Sequence, residues 1–371
     1  MKDLPRYITL LLLFGLPFVI LPFGTSQFEI PKVILAQVMI EALVFFALFF
    51  RQRIILTAIE KTCYFILFFI PFLDLFLFTS GVSFFGNPFR QQGAFLFFHL
   101  LLFSLFAKRF LFAAIPSWLV FGFLFLQAAG VILFPSNDVG RSYGFLGEPN
   151  AFAATSVFVV PLLFLPRVKK ELLFFGATLS AIILLASGSR SGLIAVLLEV
   201  LFLLFVRRFP KKVGVSFTVC VVLFVVFLVS TLFLSDPHES RVEIWRAAFL
   251  SFLSHPLIGG GVGNIELLLH KASLQFASYI SVRYVDSSHN IFLDMLVSLG
   301  GIGFLAFVIL LFFSFRTYLL RKEFVSVAML LGMVVVLSFN PGSVWELVVF
   351  WYLVGSGMGE AGNSDTTPPE T

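Results

Sequence analysis

The sequence predicts an all-α integral membrane protein with about 12 transmembrane helices and one long extramembranous loop between the ninth and the tenth. Three observations predict it. First, 59% of the 371 residues are hydrophobic and 12% are charged, with a mean hydropathy of +1.04. The 25 basic and 20 acidic side chains are too few to shell a soluble core of this length. Second, apolar runs of about 17–25 residues recur from end to end, the length that crosses a bilayer as a helix. A closed barrel would show short alternating segments instead. Third, the basic residues divide unequally between alternate loops.

Taken in order, the first apolar run covers 8–23. It follows Lys2 and Arg6, but it contains Pro17 and Pro22 and no small-residue cleavage site follows, so it reads as a retained helix and not a leader. Eleven further runs cover 32–50, 62–78, 93–107, 110–134, 150–166, 171–187, 192–206, 213–235, 290–315, 324–339 and 345–358. Cys63 and Cys220 fall inside apolar runs and make no disulfide framework. His99 lies mid-helix without a visible partner and reads as packing. Glu41 and Glu199 are intramembrane carboxylates of the kind that mark ion coupling, which keeps a transporter or lipid-carrier flippase as an alternative reading. Residues 1–359 read as one polytopic domain, and 360–371 as a polar, disordered tail.

With the N-terminus inside, the inside segments at the N-terminus, 51–61, 108–109, 167–170, 207–212 and 316–322 hold seventeen of the 25 lysines and arginines. Lys32, Arg90, Arg141, Arg190, Arg241, Arg246, Lys271 and Arg283 fall outside. This is the asymmetry that the positive-inside rule asks for. Both termini then lie inside and the 236–289 loop outside. The net charge of +5 reports orientation, not nucleic-acid binding.

Under this topology the polar residues gather on the outer face. Arg141, Tyr143, Glu148 and Asn150 precede the sixth run. Arg190 sits in the tight turn Ser187-Gly188-Ser189-Arg190-Ser191-Gly192. An arginine toward the bilayer centre costs about 2.5–3.5 kcal/mol, less near the interface, so Arg190 is either a snorkelling side chain or an anion clamp. Arg241 and Arg246 open the long loop on a helix with Ser240 and Glu243 as a capping box. Ile244, Ala248, Phe249 and Phe252 would form its apolar stripe, laid along the membrane surface. His255, beside Pro256, reads as a structural loop histidine, and Gly259 to Asn264 as a flexible turn. No strand precedes those glycines, so they are not a dinucleotide loop.

His289 closes the loop at the mouth of the tenth run. An imidazole with an ordinary pKa near 6.5 exchanges protons around neutrality, and Asp286 or Asp294 could orient it. No acidic cluster with metal-ligand spacing stands in an outer loop, so neither metal nor cofactor is expected.

Together, Gly140-Arg141 through Gly147-Glu148-Pro149-Asn150, Ser187 to Gly192, Ser240-Arg241 through Trp245-Arg246, His255-Pro256 to Asn264, and Ser288-His289-Asn290 with Gly300-Gly301-Ile302-Gly303 resemble the O-antigen ligase family of bacterial polytopic glycosyltransferases, polymerases included. The resemblance covers roughly 140–305. It implies a C-type glycosyltransferase-like membrane fold in the bacterial inner membrane, with the 236–289 loop in the periplasm. It implies transfer of a glycan from undecaprenyl diphosphate to an acceptor hydroxyl on lipid A core, a growing polysaccharide or a protein, without metal or nucleotide sugar. Arg190 and Arg241 would then hold the diphosphate and His289 would be the base. Arg141, Arg246, Asp286 and Asp294 stand as supporting residues of the same face. A base acting opposite the leaving diphosphate would invert the anomeric carbon.

Overall fold

In the computed structural model the described residues are 4–22, 25–51, 54–77, 81–106, 115–134, 136–137, 139–233, 241–274 and 285–358. They fold as helices: α1 (Leu4–Leu10), continued by a π turn and a 3-10 turn to Phe18, α2 (Glu29–Phe49), α3 (Ala58–Leu77), α4 (Gly81–Phe85), α5 (Ala94–Phe106), α6 (Ser117–Leu133), α7 (Pro149–Leu163), α8 (Lys170–Ser187), α9 (Arg190–Arg208), α10 (Val213–Phe233), α11 (Arg241–Ser254), α12 (Ile265–Ser273), α13 (Ile291–Leu320), α14 (Phe324–Leu337) and α15 (Val344–Ser356). Each apolar run of the sequence falls on one of these helices. The short α4, α11 and α12 lie in the polar connections. The 360–371 tail, Ser240, and residues 236–239 and 275–284 of the long loop lie outside the described residues.

By length and composition α2, α8 and α13 can each cross a bilayer. The distribution of side chains fits an apolar solvent. α7 buries every residue from Ala151 to Leu163, and α14 every residue from Ser326 to Leu337. Peripheral helices turn bulky apolar groups outward, among them Phe45, Phe65, Phe76, Phe174 and Leu185. A helix that is apolar all round is either buried or faces lipid, and both kinds occur here. α14 packs between α9 and α7, α15 packs on α5, and α13 on α3.

Caps and turns bring the N-termini of six helices to one end. The Glu29 carboxylate of α2 accepts from Val344 N–H of α15 (3.2 Å). Gln92, just before α5, donates to the Gly342 carbonyl just before α15 (2.8 Å). Arg141 bridges Asn150 of α7 and the Ser187 carbonyl before α9. Arg90, before α5, pairs with Asp286 before α13. Each helix N-terminus carries about half a positive charge from unsatisfied N–H groups. Six sharing one rim make that rim electropositive, and the first-turn or capping carboxylates Glu29, Glu148 and Glu346 partly compensate it.

The glycines around 260 and 300 interlock. α13 breaks at Gly300 (φ 63°, ψ −171°), a conformation in which a side chain is severely strained. The freed backbone of α13 bonds to the chain after α11. Gly260 N–H donates to Val297 O (3.0 Å), Gly261 N–H to Ser298 O (3.1 Å), Gly301 N–H to Pro256 O (2.8 Å) and Ile302 N–H to Leu257 O (3.2 Å). A Cβ on Gly259 would lie 2.3 Å from the Ser298 carbonyl, and one on Gly300 would lie 2.4 Å from Leu257. The expected flexible turn after Pro256 is therefore a backbone clasp that fixes α11 and α12 against the start of α13.

Two further expectations change. His99 is not merely packing: its Nε2 lies 3.1 Å from the Glu41 carboxylate and its Nδ1 2.7 Å from the Phe95 carbonyl. The apolar stripe of α11 is also rotated. Ala247 and Ala248 are buried in a small second core with Leu269, Ala272 and Val297, while Phe249 is exposed. Small residues face the protein because α11 packs closely on α12 and α13.

Candidate functional site

Arg190 is the first residue of α9. Helix α8 ends at Gly188 in the left-handed region (φ 58°), and Ser189 caps α9 by accepting from Gly192 N–H (3.3 Å). The polar turn therefore reverses the chain in two residues, as its serine and glycine content indicates. Arg190 is exposed and makes no hydrogen bond or ion pair among the described residues. A cation here stands at the positive end of the α9 dipole, which is unfavourable unless an anion joins it.

Arg241, the first residue of α11, lies over the ring of Phe339, 5.9 Å from guanidinium carbon to centroid. Phe339 adjoins Asn340, and Asn340 Nδ2 donates to Ser191 Oγ (2.7 Å), one residue from Arg190. The segment after α14 thus gathers both arginines, which are 51 positions apart in sequence, to one neighbourhood. Arg141 joins them. Its Nε donates to the Ser187 carbonyl (2.7 Å) and its NH2 to Asn150 Oδ1 (2.8 Å), while Ser142 N–H donates to Ala186 O. Arg141 is therefore a brace for the Arg190 turn, and its guanidinium is held by neutral oxygens.

His289 has positive φ (56°). Histidine tolerates this conformation better than most residues, yet it is uncommon and marks a constrained site. The constraint comes from all sides. His289 N–H donates to Ser287 Oγ (3.0 Å), and Asn290 caps α13 by accepting from Phe292 and Leu293 N–H. Trp245 Nε1 of α11 donates to the Ser288 carbonyl (3.1 Å). Trp245 thereby ties the His289 loop to the helix that begins with Arg241.

The expectation that Asp286 or Asp294 orients the imidazole gives way to a different arrangement. Asp286 pairs with Arg90. The two oxygens of Asp294 accept from Ser287 Oγ (2.6 Å) and Ser288 N–H (2.7 Å). In their described bonds both carboxylates hold the loop, not the ring. Burial alone would lower the Arg90 pKa, but Asp286 foremost, with Glu29 and Glu148 beyond it, outweighs burial and raises it. Burial pushes the Glu148 carboxyl up against the opposing influence of Arg90 and Asn150. Arg246 is exposed on α11, and His255 Nδ1 lies 3.1 Å from Ser254 Oγ in the clasp.

Sequence reasoning passed over Arg90, Phe339 and Asn340. Arg90 carried a signal, as one of the few basic residues on the outer side. Asn340 carried a weaker one, a lone amide closing an apolar run. A cleft partly open to solvent lies among these groups, bordered by Arg90, Asp286, Ser287, Asp294 and Asn340.

Residues 175–308 match the family model described as O-antigen ligase. Over this span the chain is similar to the O-antigen ligase family. The matched span contains Arg190, Arg241 and His289, whereas Arg90, Arg141 and Asn340 lie outside it. The chain is also 29% identical over 210 residues to the ComP-specific O-oligosaccharyltransferase of Acinetobacter baylyi, over 50% of this chain and 37% of that protein. The chain thus matches well under half the length of this relative. Over these spans the chain is thus similar to proteins described by ligation and oligosaccharide transfer, and its apolar helices include three long enough to cross a membrane.

Proposed function

We propose that the protein transfers a glycan from a polyprenyl diphosphate, of the undecaprenyl type, to an acceptor hydroxyl at the periplasmic face of the bacterial inner membrane. The observation that carries this reading is the convergence of Arg190 and Arg241 on the Phe339–Asn340 segment, with His289 tied to the Arg241 helix through Trp245. A diphosphate leaving group needs cationic forks, and Arg190 adds the N-terminus of α9 to its own charge. His289 takes the proton of the acceptor hydroxyl as that oxygen attacks the anomeric carbon. The glycan–phosphate bond breaks and the lipid diphosphate departs toward the arginines. Attack from the face opposite the diphosphate inverts the carbon, and no metal is required. The lipid chain lies against the apolar outer surface of the helices. In this reading all twelve apolar helices span the bilayer, the rim of helix N-termini faces the periplasm, and both termini are cytoplasmic. The acceptor is a glycolipid, a growing polysaccharide or a protein.

The test is transfer in purified membranes. Arg190→Ala and Arg241→Ala should each lower the rate about 10–100-fold, the worth of one charge-assisted hydrogen bond of roughly 1.5–3 kcal/mol. Lysine at either position should restore only part of it, because an ammonium is a point charge and not a planar fork. Full activity in both alanine variants would overturn the clamp.

A further inference from the structure

A cleft lies beside the His289 loop. It lies between the N-terminal ends of α5, α13 and α15 and the connections before them. One wall is Ser287, two residues from His289. Another is Asn340, whose amide nitrogen holds Ser191 beside Arg190. The cleft therefore adjoins the proposed reaction centre without containing its arginines.

Its charge excludes the diphosphate. Arg90 is the one basic side chain of the lining and is already paired with Asp286, while Asp294 and Glu266 add two more carboxylates. Phosphate oxygens would meet net negative charge. Its hydrogen-bonding groups ask for a neutral, polyhydroxylated ligand instead. Trp351 lines the cleft and is fully buried, and its indole N–H has no partner among the described residues. An unmet buried donor costs about 1–3 kcal/mol, which a ligand oxygen would relieve. Asn340 directs its Nδ2 to Ser191 and the Val336 carbonyl, and its Oδ1 accepts no bond among the described residues. The Asp286 and Glu266 carboxylates are acceptors for ligand hydroxyls. Beneath them Phe97 and Met295 give the apolar surface that the carbon face of a pyranose covers.

We propose that this cleft binds an uncharged sugar unit of a substrate and holds it against the His289 loop. The inference rests on the glycan-transfer reading above. The sugar belongs either to the acceptor or to the donor glycan, and kinetics separate the two.

The experiment uses the full chain in detergent micelles, with methyl β-galactoside and methyl N-acetyl-β-glucosaminide as millimolar probes in saturation-transfer NMR. At least one glycoside should receive saturation from the wild type. Trp351→Phe, which keeps the ring packing and removes the N–H, should weaken binding about five- to tenfold, the worth of one neutral hydrogen bond. Met295→Trp, which fills the cleft, should abolish the signal in protein that still elutes as a single species. Arg190→Ala should leave sugar binding unchanged. In transfer assays the same two cleft variants should raise one KM, the acceptor's or the donor's, and the one that moves identifies the source. Absence of signal in the wild type, or equal signals in wild type, Trp351→Phe and Met295→Trp, overturns the cleft site and leaves the transferase reading standing. Sugar binding that depends on the cleft, beside transfer indifferent to Arg190, Arg241 and His289, keeps the site and rejects the proposed mechanism.

Discussion

At the scale of single residues, His289 combines a titratable ring with a backbone that few residues accept. That combination allows a sharper test than removal of the ring alone. Asparagine shares the tolerance for left-handed φ but has no basic nitrogen. His289→Asn should therefore keep the turn, Asn290 should still cap α13, and transfer should fall by about 10²–10⁴, roughly 2.7–5.5 kcal/mol in barrier. Glutamine should be equally inactive, and the rise of rate with pH across the imidazole titration should vanish in both. Donor affinity should stay nearly constant, because in the proposed mechanism the arginines and the apolar surface hold the donor. Normal turnover in His289→Asn would make this histidine a turn residue and move the base elsewhere.

At the scale of elements, the clasp between Pro256–Gly261 and the break in α13 ties the chain after α11 to the helix that follows the His289 loop. Gly300→Ala should unfasten it. The backbone conformation alone costs an alanine about 1–3 kcal/mol, and the added methyl group would meet Leu257 at 2.4 Å. Gly122, mid-way along α6, is the control, since a Cβ there meets nothing within 4 Å. Gly122→Ala should stabilise the protein by about 0.5–1 kcal/mol through helix propensity and lower chain entropy. Thermal unfolding followed by size-exclusion chromatography should show opposite shifts for the two alanines. Equal behaviour would mean that the clasp contributes nothing to stability. The Ser187–Gly192 turn is the complementary case, where Gly188 ends one helix, Ser189 starts the next and Arg190 is presented at the N-terminus.

At the scale of the whole molecule, the shared end of six helix N-termini and the unequal division of basic residues together predict one orientation. Positive dipole ends and the exposed Arg190 should face the compartment in which an anionic donor is presented, and the basic loops the opposite one. A cysteine at Lys271, which is exposed on α12, should react with a membrane-impermeant maleimide in intact spheroplasts. A cysteine at Lys170, at the start of α8 on the other side, should react only after lysis. The reverse pattern would invert the topology and with it the proposed compartment of transfer.

The sequence by itself determined the helical class and the approximate position of every long helix, and it marked Arg190, Arg241 and His289 as candidates. These were legible because hydropathy acts locally, and because a charge at a bilayer edge stands out against 59% hydrophobic composition. Tertiary structure alone decided which polar groups meet. Arg90 and Asp286 are 196 positions apart, Asn340 and Ser191 149 apart, and His99 and Glu41 58 apart. It also turned the glycines near 260 from a turn into a clasp, because a glycine's use depends on the backbone that comes close to it. Pairing of this kind is set by the packing of helices across the bundle, which periodicity along the chain does not specify.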